Sequence, residues 1–444
     1  MKDKKKESLF NIIRLVGDVL IIHFSFIIAF HLRFEEIMIN NLRAYYQNIP
    51  FIIIFSLIIF SLYNLYSNQI LKPVNDNLLA FIPACIIIIL FSVTVSYFFQ
   101  TYQFPRSIFL IALPILIFLL ILWRYLLLIV QKKFTKNKNI ILIGSKKNTN
   151  KLKTNIDKYT NNGFNIKKII LNTDFEKLDK KEKSQVIKEI NPDIIFISFD
   201  LPIKDKKELF YLSLDSDWTI SIIPEFYEIM VAGGKLNQIG ELPFYNIISM
   251  SNNNYLFKRI FEVIFSMLTI IILFPLIILI SLMIKIDSQG PVFHKQDRVS
   301  KNGQKFIIYK FRTMVKNAEK KSGPILSTKS DSRTTRFGRF LRKTKLDELP
   351  QFYNVLRGDI SLIGPRPERS HFINKYNRNI KDYHYRQKVK SGLTGLAQIY
   401  GFYNTEPEDK LRMDLIYINN RNILFDLKII LNTLKTIFTG NKFK

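Results

Sequence analysis

The chain has 444 residues, enough for two or three domains, and carries a formal net charge of +29 with 48% hydrophobic residues. Its apolar residues gather in runs, so membrane spans are expected, and anionic headgroups and phosphorylated substrates displace nucleic acid as the partners of that charge. The single cysteine, Cys85, excludes an intramolecular disulfide framework and a cysteine-based zinc site.

Four apolar runs come first: Leu9–Leu32, Ile49–Tyr66, Leu78–Phe99 and Ile108–Val130. Each is long enough to cross a hydrocarbon core of about 30 Å. No small-residue cleavage site follows the basic Met1–Lys6 and the first run, which predicts an anchor in place of a removed signal. Lys2, Lys4, Lys5 and Lys6 before the first run and Lys132, Lys133, Lys136 and Lys138 after the fourth predict cytoplasmic ends for both. Arg14 and Asp18, four apart, predict a structural pair on one helix face. His23 predicts a packing contact with a neighbouring helix and not a metal ligand.

From Asn139 to about Ile223 the character changes. Asn139–Ile143, Phe164–Leu171, Asp193–Phe199 and Thr219–Ile223 read as short buried strands, with helices such as Lys180–Ile190 and Lys204–Leu214 between them. That alternation predicts a parallel αβ sheet. Gly144-Ser145-Lys146-Lys147-Asn148 follows the first strand where a dinucleotide fingerprint would need Gly-x-Gly-x-x-Gly. The module is therefore expected to be structural or regulatory, without a cofactor. Gly233-Gly234 and Pro243 mark a connector.

A fifth run, Ile260–Ile284, has Lys258 and Arg259 before it, Lys285 after it and Pro275 inside it. Four spans return the chain to the cytoplasm, so basic residues on both flanks fit a helix that enters, breaks at Pro275 and leaves on the same side. On the residues alone a kinked full span is equally open. Asn302-Gly303 is a hairpin signal leading into a strand at Phe306–Tyr309. Lys310 and Arg312 alternate with Phe311, so both cations can lie on one strand face. Ser322–Ser332 reads as a polar loop that could gate a site.

The stretch Arg339–Glu368 places adjacent carboxylates, Asp347 and Glu348, among Arg336, Arg339, Arg342, Lys343, Lys345, Arg357, Arg366 and Arg369. Pro350 suits the first turn of a short helix that would bury Leu349, Phe352, Tyr353 and Leu356. A longer helix kinked at Pro350 is the alternative. Adjacent residues do not share a helix face, so the two acids should have different tasks. Arg366, between Pro365 and Pro367, is a guanidinium on a rigid turn and suits bidentate phosphate contact. Leu424–Phe438 is amphipathic, with Leu427, Ile430, Leu431, Leu434 and Phe438 on one face, for the membrane surface or for packing. By residue chemistry alone, a solvated charged helix accounts for the acids as well as a site does.

Asp347-Glu348-Leu349-Pro350, followed by Gly-Asp-x-Ser-Leu-x-Gly-Pro-Arg-Pro-Glu at 358–368, resembles the signature of the bacterial sugar transferases. These are the monotopic polyprenyl-phosphate sugar-1-phosphate transferases that initiate exopolysaccharide synthesis. Lys310-Phe311-Arg312-Thr313-Met314 and Lys390–Gln398 are similar to further family blocks, with Ser391 where proline is usual. The resemblance covers Tyr255–Lys444, and the earlier regions resemble the large members. Glu262 stands where the family usually has Asp after Lys258-Arg259, and Phe274 where it often has a small residue before Pro275.

The resemblance implies a membrane protein of mixed α and α/β class. Its parts would be a four-helix transmembrane bundle at 1–134, a Rossmann-like αβ module at 139–250 and an α+β catalytic domain at 254–444, anchored by a re-entrant helix at 258–285. It implies transfer of a sugar 1-phosphate from a UDP-sugar, UDP-glucose or UDP-galactose first, to undecaprenyl phosphate, with release of UMP. Asp347 would attack the phosphorus and Glu348 assist, with Mg²⁺ touching one of the two. Lys310, Arg312, Arg339, Arg342, Pro365, Arg366 and Pro367 would serve the nucleotide and its phosphates. Lys258, Arg259, Glu262 and Pro275 would serve the lipid phosphate and the membrane. The implied setting is the bacterial inner membrane, multi-pass, with the N-terminus and catalytic domain cytoplasmic. Membrane lipids are partners, nucleic acid is not, and a homodimer stays open. A membrane-bound NAD-dependent nucleotide-sugar epimerase or dehydratase would need a glycine-rich turn and Tyr-x-x-x-Lys, and this sequence has neither. A non-catalytic membrane scaffold fits poorly with an intact Asp347, Glu348 and Arg366.

Overall fold

A computed structural model describes residues 2–34, 39–66, 78–99, 105–134, 137–159, 163–239, 242–247, 255–315, 331, 333–402 and 405–439. Its contacts divide the chain into two compact units, Met1–Pro224 and Glu225–Lys444. The fold is mixed helical and α/β, with a parallel sheet. Among the described residues, five helical stretches are long and apolar enough to cross a membrane: Ser8–Arg33, Arg43–Leu62, Phe81–Phe98, Arg106–Gln131 and Leu256–Asp287.

The first unit begins with α1 (Lys2–Arg33), α2 (Ile39–Leu62), α3 (Phe81–Phe98) and α4 (Arg106–Phe134). α1 packs on α4 and α2, and α3 packs on α2 and α4. Asp18 receives the guanidinium of Arg124 on α4 at 2.5 Å, and Arg14 reaches Gln131 at 2.6 Å. An ion pair between two helices neutralises both buried charges and also fixes the register of the helices. His23 contacts Tyr45 across helices at 2.5 Å.

Four parallel strands follow: β1 (Lys138–Gly144), β2 (Phe164–Leu171), β3 (Ile194–Ile197) and β4 (Thr219–Ile222). Their order is β2-β1-β3-β4. β1 runs down the centre and both of its faces are covered. Ile141 and Ile143 enter one core cluster with Ile195 and Ile197. Ile140 and Leu142 enter another with Ile156. Burial on both faces is why these strands are runs of Ile and Leu instead of alternating patterns. Helices α5 (Lys146–Tyr159), α6 (Lys180–Ile190) and α7 (Ile203–Leu214) connect them.

The second unit starts earlier than the glycine pair suggested. α8 (Phe226–Ala232) carries Ile229, which is buried in this unit's main core with Leu411, Leu415 and Ile418. The division therefore falls inside the stretch 139–250. A hairpin of β5 (Lys235–Ile239) and β6 (Leu242–Asn246) follows, then α9 (Tyr255–Asp287), one helix with Pro275 inside it. β7 (Phe293–Val299) and β8 (Lys305–Phe311) form the expected antiparallel hairpin. Asn302 and Gly303 take left-handed angles, φ 54° and 79°, as their residue types favour.

Beyond the hairpin come α10 (Arg336–Thr344), α11 (Gln351–Arg357), β9 (Ser361–Ile363), α12 (Ser370–Asn379), β10 (Gly392–Thr394), α13 (Leu396–Tyr400), α14 (Pro407–Asn419) and α15 (Ile423–Thr439). On α9, Ile280 and Ile284 are buried with Phe311 and Leu341, against Leu346 and Leu349. That cluster seats the Asp347 turn on α9. The remaining surface of α9 exposes large apolar side chains such as Ile272, Phe274 and Leu279. On α15 the expected stripe is packed only in part, with Leu431 buried and Ile430 against the main core. Ile429, Leu431, Asn432 and Lys435 are buried, whereas Leu424, Leu427 and Leu434 are exposed. The side chain of Phe438 and the 322–332 loop, apart from Asp331, lie outside the described residues.

Candidate functional site

The site is built on the turn between α10 and α11. Thr335 caps α10 by accepting from Gly338 N at 3.0 Å. Gly338 lets the helix come against the end of the β8 segment, since a Cβ there would lie 2.1 Å from Thr313 O. Lys345, at φ 61°, ends the helix. A single 3₁₀ turn, Leu346–Glu348, then delivers both acids directly before α11, which Pro350 caps. Pro350 thus begins a short helix, and the longer kinked helix is not formed.

The buried side of α11 differs from expectation. Gln351, Asn354 and Val355 are buried, while Tyr353 is 51% exposed. The reason is hydrogen bonding. Asn354 accepts from Tyr309 N at 3.0 Å and donates to Ile307 O at 2.7 Å and Asp359 Oδ2 at 2.9 Å. It therefore acts as a strand partner for β8. That contact fixes Lys310, whose Nζ donates to Glu348 Oε1 at 2.8 Å. Arg366 Nη2 donates to the same oxygen at 2.7 Å.

The neighbouring acids are in opposite states. Burial works against the charge of Glu348, but Arg366, Lys310 and Lys345 outweigh it and hold its carboxyl well below the usual range. Asp347 is only 9% exposed, and its Oδ1 has no hydrogen-bond partner. Burial, then repulsion from Glu348, raises its pKa, while Lys310, Lys345 and Arg342 pull it back. One acid is clamped and the other is held close to cations with an oxygen uncommitted.

Lys310, Asp347, Glu348 and Arg366 come together, with Arg342 near enough to act on Asp347. Arg342 itself donates to Thr313 Oγ1 at 2.8 Å. Arg339 is exposed on α10. Arg312 does not join Lys310 at the acids. β8 ends at Phe311, and Arg312 turns to Ser288 at the end of α9, donating to its O at 2.5 Å and Oγ at 2.8 Å.

Lys258, Arg259 and Glu262 are bound within the unit. Lys258 pairs with Asp426 at 2.9 Å and donates to Tyr417 Oη at 3.0 Å. Arg259 donates to Val355 O and Leu356 O at 2.5 and 2.6 Å, closing the end of α11. Glu262 accepts from Ser361 Oγ and from Leu362 N, the latter at 3.1 Å. Together they tie α9 to the strand and helix around the site. Pro275 lies farther along α9.

Pro365 and Pro367 are buried on either side of Arg366. Two long-range contacts that carry no local sequence signal hold this turn. Arg386 donates to Arg366 O at 3.0 Å while paired with buried Asp414 at 2.9 Å, and Arg298 donates to Pro367 O at 3.1 Å. Burial pushes the Asp414 carboxyl up to about 6, against the pull of Arg386. The Lys390–Gln398 block packs behind the turn: Gly392 N donates to Pro365 O at 2.8 Å, and a Cβ at Gly392 would lie 2.0 Å from Gly364 N.

Comparison with known proteins places the second unit in a family. The profile described as bacterial sugar transferase matches residues 253–440, and one described as CoA-binding domain matches residues 61–195. The second match stops within the sheet, before β4; its name includes a ligand that the cofactor-free reading of that module did not. A UDP-N-acetylgalactosamine-undecaprenyl-phosphate N-acetylgalactosaminephosphotransferase of Aeromonas hydrophila is 40% identical over 210 residues, 46% of this chain and 47% of that protein. A UDP-glucose:undecaprenyl-phosphate glucose-1-phosphate transferase of Caulobacter vibrioides is 39% identical over 189 residues, 41% of this chain and 70% of that protein. An exopolysaccharide production protein of Rhizobium leguminosarum bv. phaseoli is 37% identical over 196 residues, 42% of this chain and 96% of that protein. The chain spans about half the length of the larger relatives it matches, such as the 47% of the Aeromonas protein.

Proposed function

Because the chain belongs to the bacterial sugar transferase family, we propose that it moves a sugar 1-phosphate from a UDP-sugar to undecaprenyl phosphate, releasing UMP, in exopolysaccharide, capsule or O-antigen synthesis. One observation carries the chemistry. Glu348 is clamped by two cations, whereas the buried Oδ1 of Asp347 is unpartnered. Asp347 is then the nucleophile. Its carboxylate attacks the sugar-side phosphorus, an acyl–phosphate bond forms, and the bond to UMP breaks with its electron pair leaving on UMP. An oxygen of undecaprenyl phosphate next attacks that phosphorus and frees Asp347. Glu348 holds Lys310 and Arg366 against the site, where their remaining N–H donors can meet the phosphates.

Asp347 and Glu348 would hold Mg²⁺, since a buried unpartnered carboxylate oxygen suits a hard cation. Among the described residues no group of three or more His, Cys, Asp or Glu could hold a metal, so diphosphate and water would complete the coordination. When bound, the ion would neutralise charge on the diphosphate. The four helices of the first unit are read as a transmembrane bundle, and α9 as a re-entrant helix with both ends cytoplasmic. Lys258, Arg259 and Lys285 around Pro275 support that reading. Relatives differ in the sugar their names carry, N-acetylgalactosamine or glucose, so the sugar is not fixed by family.

The test is to incubate enzyme with UDP-sugar alone, quench, and map the adduct by mass spectrometry. A phosphosugar on Asp347 with UMP released before acceptor is added is the expected result. An adduct on Glu348, or UMP release that strictly needs the acceptor, would overturn the covalent route.

A further inference from the structure

Among the described residues, three buried side-chain atoms without a hydrogen-bond partner belong to the catalytic turn and the two helices beside it: Asp347 Oδ1, Gln351 Nε2 and Ser266 Oγ. Gln351 is 2% exposed and Ser266 0%. Each departs from its neighbours. Thr269 and Ser281, also on α9, return their hydroxyls to Phe265 O and Ile277 O at 2.7 Å, the usual way a helix satisfies such groups. Ser266 does not. Asn354, one turn on from Gln351, uses its amide fully on Tyr309, Ile307 and Asp359. The Gln351 amide nitrogen is left without an acceptor.

Their placement is specific. Gln351 opens α11, one turn beyond Asp347. α9 meets α11 where Phe265 faces Phe352, ring centroids 6.4 Å apart, so Ser266 and Gln351 are each the chain neighbour of that contact. Lys310 and Arg366 are engaged with Glu348, and Arg259 with the α11 carbonyls. On α9 and α11 the buried donors without a partner are both neutral, an amide N–H and a hydroxyl.

We infer that Gln351 and Ser266 form a neutral seat for a phosphoryl oxygen, on the membrane-helix side of Asp347. This rests on the proposed function and deepens it. The oxygen belongs either to the phosphate of the lipid acceptor or to the phosphoryl group in transfer; both present the same acceptor to N–H and O–H. Neutral donors orient that oxygen without adding positive charge that would hold the product.

The test uses the full chain in nanodiscs with Gln351→Leu, Ser266→Ala and Gln351→Glu. The probes are undecaprenyl phosphate and whichever of UDP-glucose, UDP-galactose or UDP-N-acetylgalactosamine supports wild-type turnover. Three quantities are read: UMP release without acceptor, transfer from the adduct to acceptor, and Tm. An unsatisfied buried donor replaced by an apolar group of similar shape should leave Tm unchanged or raised. The loss expected for Gln351→Leu is about 10- to 100-fold in one half-reaction, with Gln351→Glu losing more and Ser266→Ala less. A loss confined to the second half assigns the seat to the acceptor phosphate, and one in the first half to the transferring group. Both halves within about twofold of wild type, or equal losses in both with a falling Tm, would overturn the seat. If wild type has no separable first half, the covalent route fails by itself. The seat is then judged on overall turnover against Tm: loss at constant Tm supports it, and no loss overturns it.

Discussion

Each unit of this protein holds a cluster of close charges, and the two are built to different ends. In the first unit Lys183 donates to Asp205 at 2.7 Å and Glu208 at 2.8 Å, with its ammonium 5.0 Å from the centre of the Phe175 ring. One cation satisfies two acids and ties α6 to α7. In the second unit two cations converge on a single oxygen of Glu348, and the adjacent Asp347 keeps an unpartnered oxygen. The distances are alike, so closeness of charge does not mark a site. Between these two clusters the difference is the acid left incompletely satisfied beside a fully clamped one, an arrangement that costs stability.

Asp347→Asn is the strongest test of that difference. It should lower transfer by at least about three orders of magnitude, because the nucleophile is lost, and should abolish the adduct while leaving Tm unchanged or higher. Lys183→Met should do the reverse. Breaking a buried pair costs up to about 3–5 kcal/mol, so Tm should fall, yet UMP release per folded molecule should hold. The comparison breaks if Asp347→Asn is the variant that unfolds, or if Lys183→Met silences the chemistry.

Glu348→Gln is intermediate. It weakens two charge-assisted hydrogen bonds that hold Lys310 and Arg366, and turnover should fall by about 10- to 100-fold. The label should stay on Asp347, because Glu348 positions cations and does not attack. Mass spectrometry of the trapped variant checks this; wild-type turnover in Glu348→Gln would remove the clamp from the mechanism.

Local signals carried much of this arrangement in the sequence. Phe164–Leu171 is a strand with the expected bounds, Asn302-Gly303 makes its hairpin, and Pro350 opens its helix. Four kinds of feature were not legible. Polar residues that replace strand partners invert a burial pattern, which is why Asn354 is buried and Tyr353 exposed. The partner of Arg312 is Ser288 at the end of α9 and not the acids, and no local pattern announces it. Pairs far apart in sequence, Arg386 with Asp414 and Asp18 with Arg124, have no spacing to read. Basic residues beside an apolar helix look alike whether they meet lipid or, as Lys258 and Arg259 do, close the unit's own hydrogen bonds.

The finest distinction between the two acids is in pH. Burial and Glu348 raise the Asp347 carboxyl above its ordinary value, while Arg366, Lys310 and Lys345 depress Glu348. Attack needs Asp347 ionised, so kcat/KM should fall as pH drops through a point above the ordinary value of an aspartate. Glu348→Gln removes the repulsion and frees two cations, so that acid limb should move to lower pH. Stability should show opposite signs. A raised folded value gives stability below the unfolded pKa that is lost as pH rises through the folded one, so at neutral pH Asp347 costs stability. A depressed value gives stability above the unfolded pKa that is lost as pH falls through the folded one, so at neutral pH Glu348 contributes it. Tm measured between pH 4 and 8 should therefore rise for Asp347→Asn relative to wild type toward neutral pH, and fall for Glu348→Gln over the same interval. Parallel shifts in the two variants would mean that the neighbouring acids share one environment, and the division of labour between them would be lost.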